Sequence, residues 1–519
     1  MLVKTYGAAL QGIDATLITI EVHEQSGVGN FSMVGLPDNA VKESRDRIHS
    51  AIQVNGYSFP RRNIVINLAP ADIRKEGAAY DLPLAIGLLA ADEQIPTTFL
   101  DRYMLMGELS LDGTLQPIRG SLPIALKAKE LGLKGIILPQ ANAKEAAVVQ
   151  GLEVYGMENL RDVVRFLCGE YQCEPQTIDI NTLFDADYKH INDFADVRGQ
   201  ENIKRAMEVA AAGGHNILMV GPPGAGKSMI AKRLPGILPP LTLSEALETT
   251  KIHSVAGVKA QNTSLITTRP FRSPHHTISD VALVGGGANA MPGEISLAHN
   301  GVLFLDELPE YKRSVLEVMR QPLEDRKICV SRAKLTVEYP SSFMLVAAMN
   351  PCPCGHYNDP THECTCPPGA VHRYLSRISG PLLDRIDIQV EITPVPFSDL
   401  HRHEQSESSA SIRERVIAAR KRQEDRFAIT NDLTTRRIET HCNAQMSPEQ
   451  LRRYCRLDDQ CSRMIRFAME RLGLSARAYD RILKVARTIA DLEGCEAINT
   501  QHLSEAISYR ALDRSDWAG

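Results

Sequence analysis

The stretch "NILMVGPPGAGKSMIAKRL" constrains the fold more than any other part of this chain. An apolar run enters a glycine-rich turn and leaves as a helical segment, and the turn matches G-x-x-x-x-G-K-[ST] from Gly221 to Ser228. Gly221, Gly224 and Gly226, spaced by Pro222, Pro223 and Ala225, let backbone N–H groups wrap phosphate oxygens. Lys227 adds a point charge, and Ser228 offers a hydroxyl to Mg2+ at a helix N-terminus. The surrounding sequence agrees with such a site. "NILMV", "VLFL", "FMLVAAM" and "DIQVEI" read as buried strands alternating with helices, the pattern of a parallel sheet covered on both faces.

Polar residues stand at the ends of these strands. "GVLFLDELPEY" ends a buried strand in Asp306 and Glu307, which suits Mg2+ coordination by the first and polarisation of an attacking water by the second. Asn350 closes "FMLVAAMN", where an amide can orient that water or touch the terminal phosphate. "GPLLDRIDIQV" offers Arg385 as a guanidinium able to reach a neighbouring subunit's nucleotide, with Arg377 as the rival. In "GLSARAYDRILKVARTIADL", Ser475 reads as a helix cap and Arg477 falls in the first turn. A cation there opposes the helix dipole and so points to a phosphate partner.

Directly after Asn350, Cys352, Cys354, Cys364 and Cys366 place four of the 11 cysteines within fifteen residues. Three readings are open: a tetrahedral Zn2+ site, a redox pair, or packing without metal, with His356 and His362 able to replace one thiol. The expectation is a zinc knuckle over 352–366 that stiffens the loop after the asparagine. Without a signal peptide or an apolar run near the roughly 20 residues of a membrane span, the expected compartment is the cytoplasm, where a disulfide framework is disfavoured.

At 519 residues the chain is too long for one core. Residues 1–168 read as an α/β module with strands "ATLITIEV", "NIVINLAP", "MLMGELSL" and "GIILP". A linker is expected over 169–195, the nucleotide-binding core over 196–396, and an all-helical lid over 397–519. In the lid, Ile412, Val416, Ala419, Gln423 and Phe427 recur about one turn apart. A net charge of −5 supplies no global basic field, so nucleic-acid binding would need local cations.

From "DVRGQENIKRAMEVAAAGGHNILMVGPPGAGKS" through "PGEISLAHNGVLFLDELPEY" to "LSARAYDRILKVARTIADLEG", the sequence resembles the magnesium-chelatase-like branch of AAA+ ATPases. Under that resemblance Gly199 and Gln200 border the adenine. "SPHHTISDVALVGGGANAMPGEIS", with Gly285 to Gly287, is similar to the helix-2 insert, and "KICVSRAKLTVEYP" to the presensor-1 hairpin. Those hairpins face a central pore in related hexameric helicases, which implies DNA contacts by Arg332 and Lys334, though basic residues on a solvated hairpin explain the pair equally simply. "GELSLDGTLQPIRGSLPIALKAKELGLKGIILP" is similar to the Lon protease domain, but Ala79 and Pro123 stand where that domain carries its serine and lysine, so no peptidase is expected. The whole resembles the ComM/YifB family, implying a hexameric, ATP-driven DNA branch-migration motor in natural transformation. Two alternatives are a protein-remodelling ATPase and a metal-chelatase motor subunit. The small and cationic hairpins argue against the first, and the lack of a D-x-S-x-S pattern against the second.

Overall fold

The computed structural model describes residues 1–27, 29–186, 192–258, 264–287, 290–332, 335–357, 362–393, 406–431 and 440–510. They form two compact units, Met1–Asp185 with Leu243–Thr267, and Ala186–Thr242 with Thr268–Gly519.

The first unit is built on strands β1 (Leu2–Gln11), β2 (Asp14–Gln25), β3 (Phe31–Val34), β4 (Asn63–Ala69), β5 (Tyr103–Leu105), β6 (Gly135–Pro139) and β7 (Glu153–Met157). They lie in the order β3-β4-β2-β1-β5-β6-β7. β1 and β2 pair antiparallel from Leu2 opposite His23 to Gln11 opposite Asp14, whereas β5, β6 and β7 run parallel. Helices α1 (Asn39–Val54), α2 (Asp81–Ala91) and α3 (Ser121–Glu130) cover the sheet. All eleven residues of α2 are buried, as the run Leu82–Ala91 requires, and the one charged residue, Asp81, is paired with Arg47 at 2.8 Å. Ala79 packs against the cluster that holds Leu122 and Ile124, and Pro123 is buried within α3, so apolar groups fill both positions that a Lon-type dyad would occupy.

The helix Leu243–Ala256, inside the span expected for the nucleotide-binding core, clusters instead with the first unit. Its Leu247 joins an apolar cluster of that unit, Gly120 N donates to Ser254 O (3.3 Å), and Ser254 Oγ donates to Glu145 Oε1 (2.5 Å). Lys251 pairs with Asp14 at 3.2 Å. The expected linker also carries structure: a helix spans Ile180–Ala186, and a short turn over Phe194–Asp196 buries Phe194 in the second unit's core.

In the second unit, strands β8 (Ile217–Val220), β9 (Phe271–Arg272), β10 (Val302–Leu305), β13 (Met344–Met349) and β14 (Ile388–Glu391) form a parallel sheet in the order β9-β10-β13-β8-β14. The hairpin β11 (Lys327–Arg332) and β12 (Leu335–Pro340) precedes β13. Helices α4 (Glu201–Gly213), α5 (Lys227–Ala231), α6 (Ser409–Asn431) and α7 (Ala476–Leu492) pack around the sheet or on one another. Sheet and lid share one core: Ile217, Met219, Val346 and Ala348 cluster with Ile412, Val416, Phe427, Ile482 and Leu503. The helical spacing read for α6 holds, since Ile412, Val416, Ala419, Gln423 and Phe427 are all buried. Among the described residues no helix is long and apolar enough to cross a membrane.

Candidate functional site

Strand β8, wholly buried, delivers the chain into the turn, and Gly226 at φ 85° caps α5 in a conformation that disfavours any side chain. Lys227 folds back over its own loop, donating to Gly221 O (2.6 Å), Pro222 O (2.8 Å) and Asn350 Oδ1 (3.0 Å). Burial holds this ammonium below the ordinary lysine range, with the charges of Asp306 and Glu307 opposing the shift. Asn350 reaches it because β13 lies beside β8 in register, Val220 opposite Met349.

Ser228 Oγ donates to Asp306 Oδ2 at 2.5 Å, joining the start of α5 to the end of β10. Two neighbouring ligands of an octahedral Mg2+ at 2.0–2.1 Å stand about 2.9 Å apart, so these oxygens need to part by only a few tenths of an ångström to hold one. Glu307 follows at φ 52° and directs Oε2 to His276 Nδ1 at 3.0 Å. His276 lies between β9 and the insert helix Asp280–Val284, beside His275 (4.1 Å between rings) and edge-on to Tyr311. The Tyr311 hydroxyl donates to Pro274 O at 2.6 Å, fixing that segment.

Gly199 and Gln200 both adopt positive φ (62° and 58°) at the start of α4. Gln200 Nε2 donates to Ala225 O (3.1 Å) and Thr393 O (3.2 Å), which ties the segment to the phosphate loop. Arg385, expected to reach out, is buried: Nη2 pairs with Glu324 at 2.5 Å and Nη1 donates to Pro381 O at 2.5 Å. A group that must enter a neighbouring subunit has to lie at the surface, and the rival Arg377 is half-exposed there, paired with half-exposed Glu310 (3.0 Å) and donating to Pro309 O (3.2 Å). Ser475 caps α7 by accepting from Ala478 N, and Arg477 in the following turn is exposed. Lys334 and the side chain of Arg332 lie outside the described residues, so the expected DNA grip has no described geometry. The hairpin that bears them is joined to the insert by Tyr339, whose hydroxyl donates to Ala290 O at 2.9 Å.

The four cysteine sulfurs of 352–366 converge within 4.8 Å of one another. Cys352 lies 3.2 Å from Cys354 and 3.8 Å from Cys364, and Cys354 lies 3.6 Å from Cys364. A tetrahedral ion with metal–sulfur bonds of about 2.3 Å sets its sulfurs about 3.8 Å apart, so this donor set fits a metal ion. The His356 and His362 rings lie 4.9 Å apart, tilted by 36°, and are not among the converging ligands.

Sequence reasoning missed three partners. The insert carrying His276 was read as a whole, without assigning that histidine to Glu307. Gly355 was passed over between two cysteines. Asp387, buried between Arg481 (2.8 Å), Asn216 N (3.0 Å) and His215 (3.5 Å), stood unnoticed beside the arginine that drew attention. Its sequence signal is an acid directly before the strand Ile388–Glu391.

Comparison with known proteins matches residues 193–400 to the family "Magnesium chelatase, subunit ChlI", residues 20–142 to "Subunit ChlI of Mg-chelatase", and residues 406–510 to "Magnesium chelatase, subunit ChlI C-terminal". The chain is 46% identical over 508 residues to YifB of Escherichia coli (strain K12), covering 98% of this chain and 96% of the relative. It is 44% identical over 511 residues to the competence protein ComM of Haemophilus influenzae, covering 98% and 97%. The N-terminal region is similar to Lon protease 2 of Bacillus subtilis, 26% identical over 145 residues, or 28% of this chain and 26% of that protein. The AAA+ module so matched implies ATP and Mg2+ as its ligands. With full-length identity above two-fifths to both relatives, this chain belongs to the ComM/YifB family of magnesium-chelatase-like AAA+ proteins.

Proposed function

We propose that the second unit hydrolyses ATP and that a hexameric ring of these chains uses the energy to move along DNA in the cytoplasm, as a helicase or branch-migration translocase. The observation that carries the ATPase reading is the convergence of Lys227, Ser228, Asp306 and Asn350 at the ends of three adjacent strands. In this reading the loop amides and Lys227 bind the phosphates, and Lys227 exchanges its three internal acceptors for phosphate oxygens. Ser228 and Asp306 hold Mg2+, which when bound offsets charge growing on the transferring phosphoryl group. Glu307 orients and polarises the attacking water, and Asn350 positions it. Arg477 binds phosphate from the lid, and the exposed Arg377 serves the neighbouring subunit's nucleotide. The cysteine cluster holds a structural Zn2+.

Support for DNA comes from two sides. One full-length relative is named a competence protein, which supports reading this chain toward natural transformation and recombination. The basic hairpin and the glycine-rich insert are joined through Tyr339, which suits a pair of elements that move together against a phosphate backbone. ATP turnover measured with single-stranded, double-stranded and branched DNA, against casein as a protein client, tests this reading. DNA, branched DNA above all, is expected to raise turnover. Stimulation by casein alone would transfer the chain to protein remodelling.

A further inference from the structure

The cysteine cluster touches the phosphate loop. Cys352 is fully buried, and its carbonyl accepts from Gly355 N at 3.0 Å. Gly355 sits at φ 88°, so close to the loop that a Cβ there would fall 2.5 Å from Pro223 Cδ. A second route runs backwards along the chain. Asn350, which accepts from Lys227, precedes Cys352 by one intervening proline, so the segment entering the cluster carries the residue that holds Lys227.

We propose that a thiolate-bound metal ion of the Zn2+ class at Cys352, Cys354, Cys364 and Cys366 controls nucleotide affinity, by pressing Gly355 against Pro223 and setting Asn350 against Lys227. This rests on the reading of the second unit as a nucleotide-binding ATPase. The physical ground is that four free thiols, whose sulfurs lie within 4.8 Å of one another, supply a full tetrahedral ligand set, so that metal–sulfur bonds tie the segment after Asn350 to the segment after Cys364. Releasing the ion therefore slackens the approach of Gly355 to Pro223 and frees Asn350 together with it. Because the coupling is between two binding equilibria, it is reciprocal: nucleotide must tighten metal binding by the factor by which metal tightens nucleotide binding.

The test uses the full chain, Zn2+ and a fluorescent ADP analogue in excess Mg2+. Metal analysis should give one zinc per chain. Stripping it with a zinc-selective chelator should weaken ADP binding about tenfold with unchanged far-UV circular dichroism, and added Zn2+ should restore it. Zinc affinity should rise about tenfold in the presence of ADP. Gly355→Ala should keep its zinc yet bind ADP about tenfold more weakly, which separates the contact with Pro223 from metal loss. ADP affinity indifferent to zinc, or a chain that takes up no zinc, would overturn the proposal. A zinc-loaded wild type that binds no ADP would overturn the nucleotide reading beneath it.

Discussion

Replacing His276 with alanine tests whether the acid proposed to activate water is restrained. In the structure Glu307 Oε2 is 3.0 Å from His276 Nδ1, with the two side chains 56% and 30% exposed. A pair so open to water is worth at most about 1 kcal/mol, since solvent screens it and the side chains lose freedom in forming it. If breaking that contact must precede alignment of the water, removing the histidine raises DNA-free turnover by up to about fivefold and no more. Affinity for ATP should stay as it was, because Lys227 and the loop amides are untouched by the change. Phosphate release at saturating ATP, with no nucleic acid present, measures the effect, and His276→Ala combined with Glu307→Gln should be silent. Turnover that is unchanged or falls in the single variant would refute the restraint and leave His276 either idle or needed for the reaction.

Lys227→Ala should abolish nucleotide binding while Glu307→Gln binds but does not hydrolyse, as equilibrium binding and phosphate release would separate. Arg385→Ala should cost about 2 kcal/mol of stability, read as a lowered denaturation midpoint, because it removes charge-assisted bonds to Glu324 and Pro381. Arg377→Ala should leave that midpoint within about 0.5 kcal/mol yet lose turnover, regained in rings mixed with Lys227→Ala; mixed rings that stay inactive would remove it from the reaction. Asp387→Asn should destabilise the second unit by about 3 kcal/mol, since it leaves Arg481 facing a neutral group in a buried site. Arg481 and His215 help to hold Asp387 below the usual carboxylate range against its burial, and burial holds His215 below the usual histidine range. The His215 contribution is therefore lost below pH of about 6.5 and that of Asp387 below about 3.9, so the wild type should weaken with acid more steeply than the variant only below pH of about 3.9, where the variant has no Asp387 to titrate.

Much of this architecture was legible because its signals are local. Three of the strands that carry the site are short, buried apolar runs between turn residues, while β14 interleaves Gln389 and Glu391 with Ile388 and Val390, and the glycine-lysine turn and acidic strand end fix their relation. The capping role of Ser475 and the buried face of α6 follow from spacing alone. What escaped was set by distant pairing. β1 contains "YGAAL", poor in strand-favouring residues, and owes its ten-residue length to the ladder with β2. Beyond Asp81, α2 is apolar on every side and so shows no helical period. Arg385 and Arg377 are alike in sequence, and only burial against Glu324 tells them apart. His276 with Glu307, and Gly355 with Pro223, are contacts between segments far apart in the chain, which no window of residues displays.

The helix Leu243–Ala256 gives this chain an unusual genetic geometry. Because that helix clusters with the first unit while the residues before and after it cluster with the second, the polypeptide crosses between them three times, near residues 185, 242 and 267. No single cut in the gene yields two whole modules. A clone ending at residue 185 lacks the helix that anchors through Leu247 and Ser254, and one starting at residue 186 carries that helix with Leu247 and Ser254 stripped of their partners. The Lon-like part is thus a poor candidate for gain or loss by simple fusion. A faithful dissection would transplant 243–267 along with it and close the gap between 242 and 268 by a short bridge.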